Sequence, residues 1–200
     1  MRPEEYANRN LREALKFGPS PESVHDSRVA LRKYYVVADS LTRLYYDPEC
    51  MYNAREAVKL LGVIRDSDVS GCIKVPREEL VVRVSRILNR LSPCELPKLY
   101  GSRLVVYEKV WALYSSLEVE DFHEFRKRVR SLYYLVESVG EDARELKAIS
   151  RRLGDVRDKY MKETCSREGF KIPLERGVVE EVKSIVREIL TRSEFRHLAV

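Results

Sequence analysis

The chain has 200 residues, 44% of them apolar and 34% charged, with a net charge of +5 and an isoelectric point near 9.0. That is enough material for one packed domain, or two small ones sharing a core, but too modest a charge to identify an anionic partner by itself. No run approaches the roughly 18 apolar residues that cross a bilayer, and Arg2, Glu4 and Glu5 stand where a signal peptide would be apolar, so a soluble, cytoplasmic protein without a membrane partner is expected.

The first predicted helix spans about 3 to 17 and stops at Gly18-Pro19-Ser20-Pro21, which also opens a second helix over about 21 to 46 with proline in its first turn. A third runs over about 51 to 69, and Val75-Pro76 introduces a fourth over 77 to 91. The densest break, Ser92-Pro93-Cys94-Glu95-Leu96-Pro97, falls near the middle. Four more helices follow, over about 101 to 117, 119 to 139, 141 to 167 and 176 to 195. No convincing apolar/polar alternation and no Asn-Gly or Asp-Gly hairpin turn occurs. The expectation is an all-α chain: two pseudo-symmetric four-helix bundles, residues 1–96 and 97–200, forming one compact domain.

The halves share wording. Val24-His25-Asp26-Ser27-Arg28, continuing to Arg32, returns as Phe122-His123-Glu124-Phe125-Arg126, continuing to Arg130. Each copy is followed by Leu-Gly-x-x-Arg-Asp, ending at Arg65-Asp66 and at Arg157-Asp158. Counted from each histidine, apolar residues recur at −1, +6, +9 and +13 in both helices, a shared core register. Helical geometry centres this core stripe well round the helix from the histidine, whereas the arginines at +3 and +7 fall close beside the histidine, on the side nearer the core. The basic stripe therefore borders the core stripe, where a groove between packed helices would pass. Lys33, at +8, extends the first copy, and its counterpart is Ser131; Lys127 and Arg128 point elsewhere and read as surface residues. Gly62 and Gly154 are expected inside helices, at a cost of about 1 kcal/mol against alanine, to let neighbouring helices approach. Asp66 and Asp158 either orient a basic partner or form ordinary ion pairs.

These motifs resemble the CHAD domain family, the conserved-histidine α-helical domains, over nearly the whole chain. The resemblance implies non-catalytic binding of inorganic polyphosphate through a basic surface at the pseudo-two-fold centre, with recruitment to polyphosphate granules. By position the binding residues would be His25, Arg28, Arg32 and Lys33 in one half, His123, Arg126 and Arg130 in the other, and then Arg65 and Arg157. The chain departs from the family at +10, where members often carry a basic residue and Tyr35 and Tyr133 stand here. Guanidinium groups suit phosphate oxygens because they offer forked, charge-assisted hydrogen bonds.

Two other functions are consistent with parts of the sequence. A phosphate-handling or metal-binding enzyme could use the paired histidines, but no Walker-type loop, no His pair at helical i, i+4 spacing and no dense carboxylate cluster is present, so no catalytic residue, metal or cofactor is assigned. Nucleic acid shares the phosphate chemistry, and Tyr34, Tyr35, Tyr133 and Tyr134 sit in the motif helices, although Tyr34 reads as core. Cys50, Cys72, Cys94 and Cys165 lack zinc spacing and read most simply as isolated thiols. Trp111 reads as a core or interbundle residue and His197 as a surface histidine.

Overall fold

A computed structural model describes residues 1–166 and 172–197, the side chains of 193–197 excepted. Its eight helices are α1 (Pro3–Ala14), α2 (Pro21–Ser40), α3 (Pro48–Ser70), α4 (Arg77–Arg90), α5 (Ser102–Ser115), α6 (Phe122–Ser138), α7 (Arg144–Thr164) and α8 (Arg176–His197). No strand occurs among the described residues, so the chain is all-α as its sequence predicts. His197 lies among the side chains that are not described.

Local chemistry sets the ends. Proline occupies the first turn of α1, α2 and α3, where no backbone donor is missed. The Ser20 hydroxyl accepts from the Ser23 amide at the start of α2, and the Asp121 carboxylate accepts from Glu124 at the equivalent start of α6. α3 begins at Pro48, three residues before the predicted start, because Asp47 caps it by accepting from the Cys50 amide. α2 ends at Ser40, well short of the predicted 46. There the hydroxyls of Ser40 and Thr42 donate to the carbonyls of Val37 and Asp39, competing with continuation of the helix.

One apolar cluster runs through both halves, from Tyr6 and Leu11 on α1 through Leu31, Leu61 and Val84 to Phe125, Leu132, Leu146 and Val186. α1 packs along α2, α3 lies between α2 and α4, and the second half repeats the arrangement with α6, α7 and α8. The halves meet through equivalent helices, α2 against α6 and α3 against α7. The repeated motifs are thereby brought face to face.

The connection between halves is pinned rather than free. The Asn8 amide donates to the Leu96 carbonyl and accepts from the Leu96 amide, Arg2 donates to the Leu99 carbonyl, and Tyr34 donates to the Cys94 carbonyl. The cysteines, expected as isolated thiols, form two disulfides, Cys50–Cys94 and Cys72–Cys165, across Cα separations of 5.6 and 5.8 Å. The first ties the connection to α3, and the second joins the ends of α3 and α7 across the two halves. The spacing of the cysteines along the chain carries no trace of this, since pairing depends on how distant helices approach.

Trp111 is also displaced from its expected place in the core: it is 57% exposed. Val106 and Val110 form the inward stripe of α5, and Trp111 stands one residue, or about 100°, further round.

Candidate functional site

The motif helices α2 and α6 bring four arginines to one place, and α3 and α7 bring two more. Arg28, Arg32, Arg126 and Arg130 act on one another across the pseudo-axis: Arg28 lies in the field of Arg32 and Arg130, and Arg126 in that of Arg157 and Arg32. Arg32 is only 8% exposed; Arg28, Arg126 and Arg130 are partly buried. Helical register alone accounts for this convergence, because the +3 and +7 positions border the core in both helices.

Arg65 and Arg157 are committed differently. Arg65 donates to both carboxylate oxygens of Asp158, one bond being 2.6 Å, and Arg157 donates to both oxygens of Asp66 at 2.7 Å each. Each arginine of the Arg-Asp phrase thus takes the aspartate of the other copy. The two pairs are reciprocal ties between α3 and α7, so the aspartates are ion-pair partners within the protein. Their forked geometry is the strong form of the interaction. Against desolvation, Asp66 and Asp158 hold the Arg157 guanidinium above its ordinary range, and Arg65 and Arg157 hold the Asp158 carboxyl below its own.

The other four arginines have no paired carboxylate among the described residues, and the attraction of Asp66 for Arg28, of Tyr134 for Arg32 and of Asp158 for Arg126 offsets their desolvation only in part. Among the described residues none of Arg28, Arg32, Arg126 and Arg130 forms an ion pair, and the Nε atoms of Arg28 and Arg126 are buried without a hydrogen-bond partner. Desolvation is the largest cause that pushes all four below the ordinary arginine range, Arg126 to about 10, and repulsion from neighbouring guanidiniums adds to it. Arginine stays charged at neutral pH, so these shifts register unfavourable electrostatic free energy in the folded protein. Six guanidiniums face two carboxylates here, which leaves the centre with an excess of positive charge.

Gly62 lets α2 approach α3 through a member of this cluster. A Cβ there would stand 3.3 Å from Nη2 and 3.4 Å from Nε of Arg28, so the glycine lets that guanidinium lie against α3. Gly154 has open space instead, with nothing within 4 Å of a Cβ. The expectation that both glycines admit a neighbouring helix holds at Gly62 only through that one side chain of α2, and is not met at Gly154.

The histidines do not stand alike. His25 is exposed at the first turns of α2, and among the described residues no hydrogen bond or ion pair joins it to the arginines. His123 is half-buried; desolvation first, then Lys127 and Arg126, lower it to about 4. Its neutral form therefore prevails at physiological pH.

Lys33 does not extend the arginine row. Its position at +8 lies on the other side of the histidine from the arginines at +3 and +7. The ammonium donates to Glu137 at 2.8 Å among the rings of Tyr6, Tyr133 and Tyr134, 5.5 to 5.8 Å away. Glu137 also accepts from the Tyr6 hydroxyl. Lys33 is therefore a half-buried tie between α1, α2 and α6. Lys127 and Arg128 sit near Glu124 at the edge of α6, as surface residues should. Among the described residues no three of His, Cys, Asp or Glu come together in a way that could hold a metal, and no helix is long and apolar enough to cross a membrane.

No family model matches this chain, and no curated protein matches it. Among solved structures it is similar to a CHAD domain from the plant Ricinus communis, with a TM-score of 0.49 and 14% sequence identity, over 93% of this chain and 82% of that one.

Proposed function

We propose that this chain binds inorganic polyphosphate, without catalysis, at the arginine cluster between α2, α3, α6 and α7. The observation that carries the proposal is the set of four guanidiniums without a counter-ion among the described residues, held as two equivalent pairs on rigid helices around one centre. Burial strengthens their attraction for an anion, since charges in a site of low effective dielectric interact several-fold more strongly than in water. Donors fixed on helices also cost little conformational entropy on binding. A polymer with one charge per phosphate engages both pairs at once, the second at high effective concentration, whereas pyrophosphate, with only two phosphates, gains nothing from a second stretch of chain.

The sequence resemblance to CHAD domains points to the same ligand. Recruitment of the protein to polyphosphate deposits in the cytoplasm is the simplest use of such binding. Nucleic acid fits this centre less well, because Tyr34, Tyr133 and Tyr134 are buried and offer no platform for bases. An enzyme reading is not favoured, because Asp66 and Asp158 are tied up by Arg157 and Arg65 rather than free to act as bases.

The test is competition at equal phosphate concentration, following displacement of labelled long polyphosphate. Long polyphosphate should displace the label far better than pyrophosphate or single-stranded DNA. Equal displacement by DNA, or metal-dependent shortening of the polymer, would count against the proposal.

A further inference from the structure

A second basic groove lies away from the central cluster, between the first half of α3 and the second half of α4. It has a volume of about 210 Å³ and is lined by Tyr52, Asn53 and Glu56 on one side and by Arg83, Arg86 and Arg90 on the other. Glu56 and Arg65 are nine residues apart on α3, half a turn out of phase, so this groove and the central cluster occupy opposite faces of that helix.

The three arginines follow one another at i, i+3 and i+7, which places them in a single row about 10 Å long. They are exposed, and among the described residues none of their side chains forms an ion pair or a hydrogen bond. Asn53 is the telling residue. It is only 4% exposed and lines the groove, its amide makes no hydrogen bond among the described residues, and its polar atoms are not closed off from solvent, so the amide is open to a ligand from the groove side alone. Tyr52, one residue earlier, is 65% exposed at the rim, and Glu56, one turn later, has no ion-pair partner among the described residues.

We infer that this groove is a binding site for a nucleoside phosphate. The arginine row takes the phosphate, the Tyr52 ring offers a face for the base, and Asn53 with Glu56 takes the hydroxyl or amino groups of the nucleoside. A bare anion leaves Tyr52 and Asn53 unused and is repelled by Glu56. An acidic peptide meets the same repulsion. Only a ligand with an anionic end, an aromatic body and hydrogen-bond donors uses every group in the groove. Its volume is below the roughly 300 Å³ at which pockets for drug-sized ligands begin, so the ligand lies along the groove partly in solvent. The inference is independent of the polyphosphate reading.

Titration of the full chain with AMP, followed by the backbone amide resonances of residues 52–56 and 83–90, tests it. AMP should move these resonances saturably, and should do so equally in an R28Q/R126Q/R130Q variant, whose central cluster is disabled. Y52A should weaken AMP about tenfold, the scale of one base stacked on an aromatic ring, and R86Q/R90Q should abolish saturation. Tyr52, Arg86 and Arg90 are all exposed, so the melting temperature and the affinity for long polyphosphate should stay at wild-type values in these variants. A thymidine oligonucleotide that binds more tightly than AMP identifies a polymer as the source of the ligand; equal affinity identifies a free nucleotide, and either supports the site. Shifts confined to α2 and α6, or pyrophosphate acting as strongly as AMP with no effect of Y52A, would overturn it.

Discussion

Replacing Arg126 by glutamine should separate binding from stability in a way that a structural residue cannot. Arg126 has no carboxylate partner among the described residues, its Nε is buried and unbonded, and its neighbours Arg157, Arg32 and Arg65 repel it more than Asp158 attracts it. Removing its charge relieves that repulsion, so the melting temperature should stay level or rise. Binding should suffer: a charge-assisted hydrogen bond contributes about 1.5 to 3 kcal/mol, so polyphosphate affinity should fall about 10- to 100-fold. Arg157→Ala is the contrasting case. It removes both short bonds to the Asp66 carboxylate, which is 5% exposed at its side chain, and leaves it the longer 3.7 Å contact with Arg65; breaking such a buried pair costs about 3 to 5 kcal/mol. In a domain of this size that lowers the melting temperature by about 6 to 20 °C. Thermal denaturation and polyphosphate titration of both variants side by side decide the matter. If R126Q melts as early as R157A, or binds polyphosphate as wild type does, the division of the arginines into free and committed sets is wrong.

Three further outcomes follow from particular contacts. Gly154→Ala, in open space inside α7, should stabilise the protein by up to about 1 kcal/mol with no change in binding, whereas Gly62→Ala should gain less and alter binding, because its Cβ crowds the Arg28 guanidinium; melting curves and titrations compare them. His123 is held near 4 in the free protein, below its unfolded value, so the unfolded chain binds more protons between about 4 and 6.5 and stability falls as pH drops through that window. A bound polyanion raises this pKa, so polyphosphate binding should strengthen on acidification below about pH 6, and H123A should flatten both profiles. Reduction of the disulfides should lower the melting temperature, since closing loops of 44 and 93 residues is worth about 4 kcal/mol each in the chain-entropy account; equal melting with and without reductant contradicts the pairing.

The helices and the meeting of the motif arginines were legible because their causes are local. Proline and N-cap residues mark where helices start, and the +3 and +7 offsets decide which side chains border the core. Repetition of the phrase in two halves then requires that equivalent helices meet. What escaped the sequence depends on distances between segments far apart in the chain. The exchange of partners, Arg65 with Asp158 and Arg157 with Asp66, is decided by how closely α3 approaches α7, and an Arg-Asp dipeptide reads equally well as a local pair. The disulfides have the same origin. Lys33 carried a usable signal: its register position and the serine at the equivalent place in α6 both separate it from the arginine row. The α3/α4 groove carried almost none, since Arg83, Arg86 and Arg90 look like an ordinary solvated face until Asn53 is seen beneath them without a hydrogen bond among the described residues.

The central claim is that four guanidiniums lacking counter-ions form the polyphosphate site, and the salt dependence of binding tests it most directly. By analogy with single-stranded nucleic acid, four neutralised charges give a slope of log affinity against log salt of about −3, or a loss of about 50-fold between about 50 and about 200 mM salt. A variant with Arg28, Arg32, Arg126 and Arg130 all replaced by glutamine should show a slope near zero and little affinity. Binding that ignores salt in the wild type, or that survives in the quadruple variant with its slope intact, would contradict the account.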